Sequence, residues 1–215
     1  MPWIDQLQSA NWSEVSGIAV GAYLLGCFAT GYYLVRLRTG QDIRELGSGS
    51  VGAKNVGRLL GRPGFVVALL GDLAKGAFAV WAAQHFTKDD WAVQLSLLAV
   101  VAGHVWPAQL RFRGGKGVAT SLGGLLIYDY HLAVAYALLF ASAWLVLRRT
   151  VLPGLFAFAC LPLVSLYLEP GHAQAVGMSI LAGLILVAHR KNLPEEIWLL
   201  LERRHVQPKH HPPDL

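Results

Sequence analysis

The chain has 215 residues, enough for one soluble domain or a compact helical bundle. Hydrophobic residues make up 54% of it and charged residues only 14%, which is too apolar for the surface of an ordinary soluble domain. The net charge of +5 fits basic loops beside anionic lipids and anionic substrates better than a nucleic-acid partner. Cys27 and Cys160 both lie in apolar stretches and can form neither a disulfide framework nor a metal cluster. Composition therefore predicts an integral membrane protein.

The apolar stretches predict the membrane spans. A helix needs roughly 20 apolar residues to cross about 30 Å of hydrocarbon. The chain start has no basic region or cleavage site before its first apolar stretch, so we expect that stretch to remain as a span. The pattern predicts an all-α, polytopic bundle of about seven transmembrane helices, at residues 15–35, 64–84, 91–110, 118–128, 132–147, 151–168 and 173–188. Residues 118–128 are too few to cross unless the preceding glycines join the helix or the bilayer thins, and a re-entrant segment is the alternative.

The distribution of positive charge predicts the orientation. If the spans alternate in direction, sixteen of the eighteen Lys and Arg residues fall on one side, Lys88 falls on the other and Lys75 lies inside the second span. The positive-inside rule then places the N-terminus outside and the C-terminus in the cytoplasm. We expect one membrane domain over residues 1–206 and a disordered cytoplasmic tail over residues 207–215. A short interfacial helix is predicted before the tail, where four apolar side chains share one helical face: Leu193, Ile197, Leu200 and Leu201.

Residues 47–58, in the first cytoplasmic loop, combine closely spaced glycines with hydrogen-bond donors. Glycines permit left-handed backbone conformations that turn several N–H groups toward one point, as an anion site requires. The glycines are Gly47, Gly49 and Gly52. The donors are Ser48, Lys54, Asn55 and Arg58. The stretch is not a Walker A loop, because no Gly-Lys-Ser or Gly-Lys-Thr follows the glycines. A phosphate site is the functional interpretation, and a flexible linker is the alternative.

The second cytoplasmic loop, residues 111–117, leads directly into an apolar helix. Glycines at a helix N-terminus expose free N–H groups and the positive end of the helix dipole. The glycines here are Gly114, Gly115 and Gly117, and Lys116 adds a point charge. Phosphate binding is the predicted use, with a simple positive-inside anchor as the alternative.

A third cluster ends the last span. His189 and Asn192 are three residues apart and share a helix face, where an imidazole beside an amide can accept a proton and orient a carbonyl. A solvated interfacial histidine is the alternative. Within the second span, Asp72 and Lys75 are predicted to pair, either as functional groups or as a structural ion pair. His104 is expected on the interior face of the third span, and no metal site is expected.

Four motifs in order resemble the acyl-phosphate:glycerol-3-phosphate acyltransferase family, the small bacterial membrane enzymes called PlsY. Residues 47–58 resemble the family's G-S-G-N-x-G-A-T-N-x-x-R, and residues 103–120 its G-H-x-x-P…F-x-G-G-K-G-V-A-T. Residues 189–192 match H-R-x-N, and residues 72–76 match D-x-x-K-G. The chain departs from the family at Ser50, usually Asn, at Lys54, usually Thr, and at residues 26–29, usually Gly-Ser-Ile-Pro. It also lacks the usual Gly-Glu after the third motif.

The resemblance implies an enzyme of the bacterial inner membrane that carries out the first step of phospholipid synthesis. Its substrates would be acyl phosphate and glycerol 3-phosphate, within membrane lipid and with neither cofactor nor nucleic acid. The catalytic residues it implies are Ser48, Arg58, Lys116, His189 and Asn192. The substrate-binding residues it implies are Gly47, Gly49, Gly52, Lys54, Asn55, Lys75, His104, Gly114, Gly115 and Gly117.

Three mechanisms remain open at this point: His189 as general base, an acyl-Ser48 intermediate, or proton transfer to the donor's own phosphate. Two other functions are also open. A small transporter of phosphorylated solutes would use the basic loops as a vestibule, but apart from Asp72, Lys75 and His104 the spans are nearly all apolar. A divergent paralogue with another acceptor, or one that has lost catalysis, would fit the changes at Ser50 and Lys54.

Overall fold

The computed structural model describes residues 11–168 and 172–202, and within these ranges the regular structure is helical. The helices are α1 (Trp12–Cys27), α2 (Thr30–Thr39), α3 (Ala53–Phe86), α4 (Asp90–Val105), α5 (Val118–Tyr128), α6 (Tyr130–Leu147), α7 (Val151–Leu168), α8 (His172–His189) and α9 (Leu193–Glu202). Two short 3₁₀ turns, Ile43–Glu45 and Ala108–Leu110, lie in the loops after α2 and α4. The predicted tail, residues 207–215, and the boundary at residue 206 fall outside the described residues.

Six helical segments in the described part of the chain are long and apolar enough to cross a membrane, so this is a multi-pass membrane protein. They correspond to six of the seven predicted spans. The remaining predicted span, residues 118–128, is α5. It has only 11 residues, because Gly117 and Asp129 flank it with non-helical backbone. The predicted all-helical membrane bundle is confirmed, with the count of full crossings nearer six than seven. The short helix predicted before the tail is present as α9.

The first span is not one continuous helix. Phe28 and Ala29 are extended between α1 and α2, which frees backbone carbonyls in an apolar environment. Side chains from elsewhere meet them: Lys75 Nζ donates to Gly26 O at 3.1 Å and to Phe28 O at 2.8 Å, and Gln109 donates to Cys27 O. The break is therefore stabilised by tertiary hydrogen bonds.

Helix α3 is also interrupted. Gly61 has a φ of 69°, which separates a short segment at residues 53–60 from the membrane-crossing segment at residues 62–86. The predicted span at residues 64–84 is the second segment. The first segment therefore forms part of the adjoining loop region and carries Lys54, Asn55 and Arg58 at the end of the bundle.

Glycines bring the central helices into close contact. A Cβ atom on Gly26 of α1 would lie 2.2 Å from Val100 O of α4, and one on Gly76 of α3 would lie 2.0 Å from Thr120 O of α5. Small residues at such crossings allow backbones to approach, as in other membrane bundles. Helix α5 runs beside α3 in the same direction, with Gly76 against Thr120 and the Gln84 side chain bonded to Ile127 O, so the N-termini of α3 and α5 and the C-termini of α4 and α8 lie at one end. The loops at that end are residues 40–52, 106–117, 148–150 and 190–192.

Candidate active site

Contacts between loops bring the three sequence clusters together at this end of the bundle. Arg44 Nη1 donates to Leu110 O at 2.7 Å and joins the first loop to the second. A Cβ atom on Gly117 would lie 2.9 Å from Ile185 Cδ1, so the second loop packs on α8 one turn before His189. The predicted convergence of the clusters is therefore a structural fact, whereas the chemical roles of their residues remain predictions.

Asn55 holds the first loop in shape. Its side chain is buried, its Nδ2 donates to Leu46 O and to Ser50 O at 2.9 Å each, and its Oδ1 accepts from Ser48 N at 3.0 Å. A Cβ atom on Gly47, whose φ is 56°, would lie 2.3 Å from Asn55 Oδ1. The hydrogen bonds of Asn55 are thus made within the loop and fix its shape, and its predicted role in binding substrate stays a prediction.

The loop leaves Ser48 at the surface. Ser48 is exposed, and its hydroxyl has no hydrogen-bond partner among the side chains of residues 11–168 and 172–202. Gly49 has a φ of 70°, and Ser50 Oγ accepts from Gly52 N at 3.2 Å just before α3 begins. The hydroxyl of Ser48 is consequently available to donate to a ligand.

Arg44 is a structural residue that the sequence analysis missed. Its Nε donates to Asp42 Oδ1 at 2.9 Å, and this hydrogen bond holds the pKa of the Asp42 carboxyl below its usual range. The guanidinium also lies over the ring of Tyr32, 5.3 Å from its centroid. Its contact with a backbone carbonyl of the second loop leaves no local sequence signal.

The second loop packs its glycines against the end of α4. Gly114 N donates to Val105 O at 3.1 Å, and Gly115 N donates to His104 O at 3.0 Å. A Cβ atom on Gly115 would lie 2.0 Å from His104 Nε2, which excludes any larger side chain at unchanged geometry. The predicted glycines of this loop therefore allow close packing that places Lys116.

Lys116 is half-buried, and the charges of two other cations, Lys54 and Arg58, act on it. Burial is the main cause that lowers the pKa of its ammonium, and the nearby charges of Lys54 and Arg58 lower it further, while Glu195 and Glu196 of α9 partly oppose them. Lys54 also donates a hydrogen bond to Thr150 in the loop between α6 and α7. Like charges repel one another, so an anion bound among these cations would be stabilised.

His189 is 5% exposed at the end of α8. Its Nδ1 lies 2.8 Å from Ile185 O. A carbonyl oxygen can only accept, so Nδ1 carries a proton, and in the neutral ring Nε2 keeps its lone pair. The charges of Lys116 and Lys54 act on the ring, and the half-buried Asn192 bonds through its backbone N–H to His189 O at 2.8 Å. A neutral imidazole with a free Nε2 can accept a proton.

The predicted pair inside the membrane is present. Lys75 Nζ lies 3.1 Å from Asp72 Oδ1 and 2.7 Å from His104 Nδ1. With its two contacts to the break between α1 and α2, the ammonium is fully occupied by protein groups. These contacts connect the first three spans, and the predicted role of Lys75 and His104 in binding substrate stays a prediction.

Across the described residues, no group of three or more His, Cys, Asp or Glu side chains is placed to hold a metal ion.

Comparisons with known proteins identify the family. A family model described as glycerol-3-phosphate acyltransferase matches residues 16–198. Glycerol-3-phosphate acyltransferase 1 of Desulfitobacterium hafniense is 46% identical, over 86% of this chain and 92% of its own length. Glycerol-3-phosphate acyltransferase of Gloeobacter violaceus is 38% identical, over 85% of this chain and 91% of its own.

Two solved structures share the fold. The glycerol 3-phosphate form of PlsY, an integral membrane glycerol 3-phosphate acyltransferase, superposes with a TM-score of 0.77 at 31% identity, over 85% of this chain and 92% of that one. Its lysophosphatidic acid form gives a TM-score of 0.75 at 29% identity, over 85% and 91%. The resemblance seen in the motifs is thus confirmed over nearly the whole length. The chain belongs to the glycerol-3-phosphate acyltransferase family, the PlsY family of integral membrane enzymes.

Proposed function

We propose that the chain transfers a fatty acyl group from acyl phosphate to the sn-1 hydroxyl of glycerol 3-phosphate, giving 1-acylglycerol 3-phosphate and inorganic phosphate. Family membership supports the acyl transfer and the acceptor. The observation that carries the proposal is the meeting of three cations, Lys54, Arg58 and Lys116, with the buried His189 at one end of the bundle. An acyl phosphate is an activated mixed anhydride, so the reaction needs no coenzyme A.

The cations reduce the repulsion between the phosphates of the two substrates. Both substrates carry a phosphate, and two phosphates repel each other unless positive charge lies between them. Lys116 and Arg58 supply that charge, and the N–H groups of the two glycine loops add donors. Lys54 replaces the Thr usual in the family, and its position beside Lys116 makes it a third cation for the same phosphates. The acyl chain remains among the apolar helices.

In the proposed chemical step, His189 Nε2 takes the proton from the sn-1 hydroxyl while the hydroxyl oxygen attacks the acyl carbon. The new ester bond forms, and the bond from the acyl carbon to the phosphate oxygen breaks, so inorganic phosphate leaves with the electron pair. Asn192 and Ser48 donate to the oxyanion that develops on the acyl oxygen. Direct attack is favoured over an acyl-Ser48 intermediate because no side chain of the described residues is hydrogen-bonded to the Ser48 hydroxyl as an activating base.

The orientation belongs to the same proposal. The active end carries the loops that hold most of the Lys and Arg residues, and we place it in the cytoplasm, with the N-terminus outside, in the bacterial inner membrane. Glycerol 3-phosphate and the donor headgroup would then reach the site from the cytoplasm.

Matched substitutions at the two ends of the bundle test the site. His189→Gln and Lys116→Met are compared in purified protein with His172→Gln and Lys88→Met, which make the same chemical changes at exposed positions at the opposite end. General-base loss typically lowers turnover by about 10²–10⁴-fold. We expect His189→Gln to lower kcat in that range and Lys116→Met to raise the KM for glycerol 3-phosphate, with both controls near the parent. Equal activity in each matched pair would refute the placement of the site.

The same assay addresses the other two functions. A transporter of phosphorylated solutes would move glycerol 3-phosphate across vesicles without forming lysophosphatidate. A paralogue with another acceptor would release phosphate from acyl phosphate without acylating glycerol 3-phosphate. Lys54→Thr, which restores the usual family residue, then tests whether this departure changes the acceptor.

A further inference from the structure

A polar cavity lies at the end of the bundle opposite the catalytic loops. Its volume is about 230 Å³, and it lies where the C-termini of α3 and α5 meet the N-termini of α4 and α8. Its polar lining includes three glutamines and one carboxylate: Gln84, Gln94, Gln174 and Asp90. None of these residues has a part in the proposed reaction, and the proposed orientation places the cavity outside.

Hydrogen bonds fix the direction of the first two amides. Gln84 Nε2 donates to Ile127 O at 3.1 Å, and Gln94 Nε2 donates to Ala173 O at 3.2 Å and to Tyr128 Oη at 3.2 Å. Backbone carbonyls can only accept, so the nitrogens must be the atoms that face them. The carbonyl oxygen of each side chain is therefore its other terminal atom and can accept a hydrogen bond from a ligand.

Gln174 gives the strongest indication of a ligand. Its Nε2 donates to Asp129 Oδ2 at 3.3 Å, and since a carboxylate can only accept, its Oε1 is the other terminal atom. Gln174 is 9% exposed, and Oε1 is buried with no hydrogen-bond partner among the described residues. A buried, unpaired carbonyl in a native protein calls for a partner, because leaving it desolvated is unfavourable. A ligand donor in the cavity would supply one.

The lining selects the chemistry of the ligand. Three glutamine carbonyls and the exposed carboxylate of Asp90 supply acceptors and one negative charge, which suit a positive group that donates hydrogen bonds. Trp91 and Tyr128 add aromatic rings, which attract cations. We propose that this cavity binds a primary ammonium group, either from the headgroup of an aminoethyl phospholipid in the surrounding leaflet or from a soluble amine.

Binding can be measured without reference to catalysis. Detergent-purified protein is mixed with equal amounts of phosphatidylethanolamine and phosphatidylcholine of the same acyl chains, and bound lipids are counted by native mass spectrometry. The choline headgroup has no N–H donor and is the chemical control. Gln174→Leu removes the buried acceptor, Asp90→Asn removes charge at an exposed position, and Gln41→Leu repeats the first change in the loop at the other end. Thermal unfolding in the presence of free ethanolamine or free choline tests whether a soluble amine binds instead of a lipid headgroup.

We expect the parent and Gln41→Leu to retain the ethanolamine lipid about tenfold better than the choline lipid, as loss of a charged hydrogen bond would predict. Both cavity variants should lose that preference. Stabilisation by free ethanolamine alone, absent in the variants and with choline, would support the site and identify a soluble amine as its ligand. Equal retention of both lipids without an ethanolamine effect would overturn the proposal, as would a preference unchanged in both cavity variants. Because Asp90 is exposed, its substitution tests binding without disturbing the helix contacts.

Discussion

The structure predicts that Asn55 controls substrate binding without contacting substrate. Its buried amide makes three hydrogen bonds of 2.9 to 3.0 Å that fix the loop around Ser48. Replacing Asn55 with Ala removes all three. At about 1 kcal/mol net for each bond, the ordered conformation of the loop is destabilised by about 3 kcal/mol relative to disordered ones. If binding must restore that order, affinity for glycerol 3-phosphate falls by on the order of a hundredfold.

The assay is steady-state acyl transfer with glycerol 3-phosphate varied at saturating acyl phosphate. We expect Asn55→Ala to raise the KM for glycerol 3-phosphate strongly, with the helical bundle still folded by circular dichroism. Asn55→Asp should be at least as harmful, because it keeps the acceptor for Ser48 N but turns a second acceptor toward the carbonyls of Leu46 and Ser50.

The matched control is Asn11→Ala, the same deletion at an exposed position at the other end of the bundle. This variant should leave kcat and the KM for glycerol 3-phosphate unchanged. A KM for Asn55→Ala within about twofold of the parent would refute the reasoning, since loss of the loop's internal bonds would then have no effect on binding. A functional Asn55→Asp variant would show that the two donor bonds are unnecessary.

Three further predictions concern the second loop and the buried ion pair. The lowered pKa of Lys116 means that its ammonium, the form that binds phosphate, loses its charge at a lower pH than an exposed lysine, so the KM for glycerol 3-phosphate should rise at alkaline pH. Lys116→Arg should remove that rise, and a KM flat to strongly alkaline pH in the parent would contradict the assignment. Gly115→Ala should nearly abolish activity and lower the thermal midpoint, because its Cβ would meet His104; a fully active, stable variant would contradict that packing. Lys75→Met should destabilise the bundle by about 3–5 kcal/mol in denaturant unfolding by removing the lysine partner of the buried Asp72, and Asp72→Asn in the same chain should recover part of the loss. Absence of that recovery would count against the ion pair.

Hydropathy located the spans because a bilayer requires a minimum length of apolar helix, and the apolar stretch also gave the bounds of the short helix at residues 118–128. The break at Phe28 and Ala29 was not predicted. Neither residue is a helix breaker, and the bonds that stabilise the break come from Lys75 and Gln109 on distant segments. Such a break depends on tertiary contacts that no local pattern records.

At the active site too, the sequence predicted features that follow from span direction and missed those that depend on tertiary contacts. Alternating span directions predicted that the three motif clusters meet, and the structure brings them together. The motif pattern could not separate the exposed Ser48 from the buried Asn55, because both are polar residues of one loop and only burial distinguishes them. Arg44 was missed because its partner in the second loop, Leu110 O, is a backbone atom that any residue would provide.

The central claim is acyl transfer from acyl phosphate to glycerol 3-phosphate. The most direct measurement follows inorganic phosphate and lysophosphatidate together in purified protein supplied with palmitoyl phosphate and glycerol 3-phosphate, beside parallel reactions with palmitoyl-CoA and palmitoyl acyl carrier protein. The account predicts that both products appear at equal rates with palmitoyl phosphate and that neither thioester donor supports the reaction. Phosphate released without lysophosphatidate, or no product from any donor in folded protein, would contradict it.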